Sequence, residues 1–160
     1  MKGMSEGRER IAALFREALE AENRNDFETA KRKLDEILHE SLHVEPELYF
    51  EACFRLVDIF LQEDNYRGAL KCALRAIVRA PSEDHYRLGL KRLGDILTII
   101  KKEDKLSELA ENMEPALKLV EGDEELYRFV QALIRLARGE KVSEKFALPE
   151  LNEAFESLTG

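Results

Sequence analysis

Residues 50–81 read FEACFRLVDIFLQEDNYRGALKCALRAIVRAP, and this stretch decides the fold. Its first half places Ala52, Cys53, Leu56, Val57 and Phe60 at the three- and four-residue intervals of one helix face. Phe50, Phe54, Ile59 and Leu61 fill the other faces, so this helix is apolar nearly all round and belongs in the middle of a stack. After the turn at Tyr66 a second helix carries Ala69 and Ala76, and Pro81, which cannot continue a helix, stops it. Two helices joined by so short a turn must pack antiparallel. Ala69 and Ala76 are small enough to let them approach closely, while Phe60 and Tyr66 supply bulk for the gap to the next pair.

Working outward, helical periodicity continues almost from end to end, and no window alternates like a strand. A first helix runs from about Glu6 to Asn23 with Ile11, Leu14, Phe15 and Ala18 on one face. Asn25 or Asp26 caps a second, which reaches about His39 with Ala30, Leu34, Ile37 and Leu38 inward. Pro46 opens the third helix and Tyr66–Ala80 forms the fourth. Ser82 or Asp84 caps a fifth holding Leu90, Leu93, Leu97 and Ile100. A sixth is expected over about Asp104–Val120, kinked at Pro115 by one missing hydrogen bond. A seventh runs from about Glu124 to Arg138 before Gly139, and Pro149–Leu158 makes a last amphipathic helix.

The chain also repeats itself. Phe27, Ala30, Leu34 and Ile37 follow the pattern of Tyr66, Ala69, Ala73 and Ala76 at a displacement of thirty-nine residues. Leu106, Leu109, Met113 and Ala116 follow it again forty residues further on, and Leu93-Gly94 marks the corresponding earlier helix. On these residues the chain resembles the tetratricopeptide repeat (TPR) family, most closely from Leu56 through Phe60, Tyr66, Ala69 and Ala76 to Pro81. Val57 stands where the family usually has glycine, and both intervals exceed the usual period of about thirty-four. The resemblance implies an all-α, TPR-like α-solenoid of about seven or eight helices forming one domain over residues 1–160. Its units fall at about 11–45, 50–81 and 84–120, with a partial unit at 123–147 and a capping helix at 149–158.

Composition narrows the function. A net charge of −8 argues against nucleic acid as a partner, because phosphate contacts need a clustered excess of Lys and Arg. The basic runs Lys31–Lys33 and Lys101–Lys102 are short and flanked by acids. No stretch reaches the roughly twenty apolar residues that a membrane span needs. Met1–Arg10 lacks the apolar core of a signal peptide, so a cytoplasmic location is expected. Cys53 and Cys72 sit in apolar runs at no metal-ligand spacing, as small buried hydrophobes do. Charged residues make up 36% of the chain, a balance suited to solvated helices and equally to a heat-adapted protein.

One motif suggests chemistry. His39-Glu40-Ser41-Leu42-His43 matches HExxH, in which two histidines on one helix face hold zinc and the glutamate activates water. Here both histidines lie opposite Ala30, Leu34 and Ile37, hence toward solvent, with Pro46 close behind and no strand to hold substrate. A zinc-dependent hydrolase is therefore the remote reading, and no enzyme, metal or cofactor is expected.

The resemblance instead implies protein binding, since the first helix of each TPR unit lines a concave groove. Carried across, the groove positions are Phe15 and Leu19, then Phe54 and Asp58, then Lys91, Asp95 and Thr98, then Tyr127 and Gln131. Phe15 and Leu19 stand where the family's carboxylate clamp has Lys and Asn, so that clamp is missing and the groove mouth is apolar. The expectation is an adaptor or scaffold holding a helix or peptide through hydrophobic anchors. The alternative is a homodimer built through the first or last helix. The last helix is expected either to cap the array or to fold back into the groove.

Overall fold

The computed structural model describes the backbone of residues 2–160 and the side chains from residue 6 onward, so the start of the polar Met1–Arg10 stretch lies outside the described side chains. Eight α-helices account for the fold, and no strand occurs among the described residues. They are α1 (Lys2–Asn23), α2 (Phe27–Ser41), α3 (Pro46–Gln62), α4 (Tyr66–Val78), α5 (Glu83–Lys102), α6 (Glu114–Val120), α7 (Glu124–Ala137) and α8 (Pro149–Thr159). One buried apolar cluster runs from Ile11 on α1 to Leu158 on α8. None of the helices is long and apolar enough to cross a membrane.

The helix boundaries follow from local chemistry. Side-chain oxygens of Asp26, Asn65, Ser82 and Asp123 accept the backbone N–H three residues on, satisfying a donor that the first turn leaves free. Alternate helices end alike: Asn25, Asp64, Asp104 and Gly139 all take the left-handed conformation. The residue after each then donates back across the turn, Asp26 to Ala21, Asn65 to Phe60, Lys105 to Ile100 and Glu140 to Arg135. The first three of these turns lie thirty-nine and forty residues apart, the same displacements carried by the side-chain pattern.

Through α5 the helices pack as their order suggests: α1 on α2, α2 on α3, α3 on α4 and α4 on α5. The close approach of α4 to α5 depends on Gly89, where an added Cβ would lie 2.7 Å from Ile77 Cγ1. Tyr66 bridges further, its buried ring sending a hydroxyl donor to Glu103 Oε2 at 2.7 Å at the far end of α5.

One feature departs from the sequence-based expectation. The single kinked helix over Asp104–Val120 does not form; a 3-10 turn at Leu106–Leu109 is followed by a break, and α6 starts afresh at Glu114. Asn112 is left-handed in the break, and Pro115 sits in the first turn of α6, where its missing N–H costs nothing. As a result α6 packs on α4 and α7 and makes no close backbone approach to α5.

Helix α8, expected either to cap the array or to fold back, crosses back to lie along α5. Arg87 Nε meets Glu150 Oε2 at 2.6 Å near the start of both helices. A Cβ on Gly94 would sit 3.4 Å from Ala154 Cβ at mid-length, and Lys101 Nζ donates to the Ser157 and Leu158 carbonyls at the end. These contacts make α8 parallel to α5. The connection before it is pinned by Phe146, whose ring packs edge-on against Phe129 of α7 and Phe155 of α8 at 5.4 and 5.5 Å.

Candidate protein-binding clefts

Of the nine groove positions, the structure gathers three into one cleft. Phe54 and Asp58 on α3 face Asp95 on α5 across a space of about 360 Å³. Arg55, Arg92, Ile96 and Ile99 are among the other lining residues. Phe54 is only 8% exposed and forms the floor, while Ile99 is 41% exposed at the rim. The Arg92 guanidinium lies over the rings of Phe54 and Phe50, at 4.9 and 5.5 Å, and reaches to 3.6 Å from Glu51. Burial beside these apolar groups raises the Asp58 carboxyl above its ordinary value, with Arg55 and Arg92 pulling the other way.

The remaining positions lie elsewhere. Lys91 and Thr98, with Asp95, line a second cleft of about 400 Å³ between α5 and α8, opposite Glu150, Glu153 and Ser157. The last helix therefore lies along the α5 face that carries these positions. Phe15 and Tyr127 are half-buried against the core, and Leu19 is 37% exposed on α1. Gln131 lines a smaller cleft of about 210 Å³ between α6 and α7. Arg92, Ile96 and Ile99 were absent from the sequence-based set, although Ile99 directly follows Thr98.

No known protein family, curated protein or solved structure matches the chain.

The HExxH residues do not assemble. Helix α2 ends at Ser41, so His43 lies in the turn beyond it and shares no helix face with His39. Glu40 is held by Arg10 Nε at 2.5 Å. Among the described residues no group of three or more His, Cys, Asp and Glu is placed to hold a metal ion.

Both cysteines are buried free thiols. Burial pushes Cys53 up to about 12 and Cys72 up to about 11, so neither is a thiolate at neutral pH. A soluble disulfide reagent should leave the folded protein unlabelled and modify both thiols promptly in denaturant. Rapid labelling of the native chain would contradict this burial.

Proposed function

We propose that the chain is a TPR-like helical-repeat module, a non-enzymatic cytoplasmic adaptor that binds a segment of another protein in the cleft between α3 and α5. The carrying observation is the cleft itself, with its floor at Phe54, an exposed apolar rim at Ile99 and mixed charges around them. The left-handed turns closing α1, α3, α5 and α7 support the repeat, because they end the first helix of each successive unit. The part of the concave face along α8 is already covered, so the binding surface in this reading is shorter than a full array would give. An occupant would place one apolar anchor over Phe54 and Ile99 and polar groups toward Asp58, Asp95 and Arg92.

Substituting Phe54 would disturb the fold, so Ile99→Glu at the rim is the sharper test. Peptides from a displayed random library should be enriched on the parent protein and bind Ile99→Glu at least tenfold more weakly, since one buried aliphatic anchor contributes about 1.5–3 kcal/mol. Peptides retained equally by both proteins would refute the assignment. A homodimer through α8 has less support, because Leu151, Phe155 and Leu158 are already buried within the chain.

A further inference from the structure

Two clefts larger than those above lie on the opposite side of α3, between α2, α4 and α6. Two adjoining spaces of about 810 and 800 Å³ share Arg32, Asp35, Arg75 and Leu119. Their α4 wall carries a cation at every fourth residue: Arg67, Lys71, Arg75 and Arg79. Like charges at this spacing repel, so the stripe weakens the helix that bears it. The fold does little to neutralise it. Arg67 donates to the Glu111 carbonyl at 3.3 Å and Arg79 to the Tyr49 hydroxyl at 2.8 Å, both uncharged acceptors. Among the described residues, no carboxylate lies within ion-pair distance of these four cations or of Arg32 across the cleft. In a chain of net charge −8, these five cations line one cleft without an ion pair, and Asp35 faces them from the α2 wall, also without one.

We propose that this cleft binds an acidic helical segment of a partner protein, at a site separate from the α3–α5 cleft. Charge complementarity selects the sign. The stripe advances about 6 Å per cation, the same step that separates carboxylates at every fourth position of a helix. Leu56, Phe60 and Leu119 supply apolar floor for the same segment's hydrophobic face. A nucleic-acid backbone fits less well, because it has no apolar face to set against Leu56, Phe60 and Leu119, whereas Asp35, Glu36 and Glu40 on the α2 wall oppose phosphates and carboxylates alike.

The test uses fluorescence anisotropy on the intact protein. The probe is a labelled Leu-containing helical peptide of about fifteen residues with Glu at every fourth position. Controls are its Gln analogue and an oligouridylate RNA. The parent protein should bind the Glu probe at least tenfold more tightly than the Gln analogue, and high salt should weaken the complex. The double variant Lys71→Glu/Arg75→Glu should lose tenfold or more, Lys71→Gln/Arg75→Gln should fall between, and Ile99→Glu should bind like the parent. Circular dichroism establishes that each variant is folded. Equal affinity for both peptides, binding insensitive to the double reversal, or tighter binding of the RNA would overturn the proposal. So would light scattering that showed a second copy of the chain filling the cleft and leaving only when the stripe is reversed.

Discussion

Replacing Phe50 by alanine is expected to cost the fold about 3–5 kcal/mol, a large part of the roughly 5–15 kcal/mol that holds a domain of this size together. Phe50 is fully buried where α3, α4 and α5 meet. Its ring lies 5.0 Å from that of Phe54 and 5.1 Å from the His85 imidazole, with the Arg92 guanidinium at 5.5 Å. The space left by the ring has no easy route to collapse. At Gly89 the backbone of α5 is already as near α4 as Ile77 allows, so the two helices cannot close further. Urea unfolding followed by circular dichroism measures the loss. A deficit below about 1 kcal/mol would mean that the neighbours relax into the gap and that this junction is softer than its packing suggests. Binding in the α3–α5 cleft should fall with stability, since Phe54 and Arg92 both rest on the same ring.

The second large effect is expected from removing α8 by ending the chain at Ala147. Phe155, Leu151 and Leu158 are all buried against the rest of the molecule. Cutting Phe155 alone back to alanine should cost about 3 kcal/mol, and the truncation removes all three. The shortened chain should melt at least about 10 °C lower, given a shift of roughly 2–4 °C per kcal/mol at this size. It should also self-associate, because an apolar strip of α5 and the Phe129 ring lose their cover. Light scattering and a thermal melt report both effects. An unchanged melting temperature with a monomeric mass would show α8 to be an appendage.

The helices were largely legible because their ends are written in single residues. Asp26 and Ser82 announce starts, and Pro46 and Pro149 fall in first turns. The sixth helix was misread for a physical reason. Leu106, Leu109, Met113 and Ala116 keep helical spacing, and all four are buried or half-buried, but burial can be met by a broken segment as well as by a continuous one. Pro115 decided the matter by starting a helix rather than bending one.

Less of the candidate site could be read in advance. Phe54, Asp58 and Asp95 were identified and meet in one cleft, but the docking of α8 against Lys91 and Thr98 was left open between two placements. An apolar stripe states that it will be covered and not by what. The cations of α4 lie off the apolar face that helical periodicity marks, so that pattern does not reveal them.

The parallel alignment of α5 and α8 has a consequence for how the chain assembles. From α1 to α5, each helix finds its partner in the segment that precedes it, so contacts form as residues leave the ribosome. The face of α5 around Gly94 must wait for Ala154, some sixty residues later, and loop closure over that distance comes after the local pairings. During that interval a bare apolar strip is presented to whatever else is nearby. The Arg87–Glu150 and Lys101–Ser157 contacts at either end then fix the register in which the late helix lands, one turn in either direction forfeiting both.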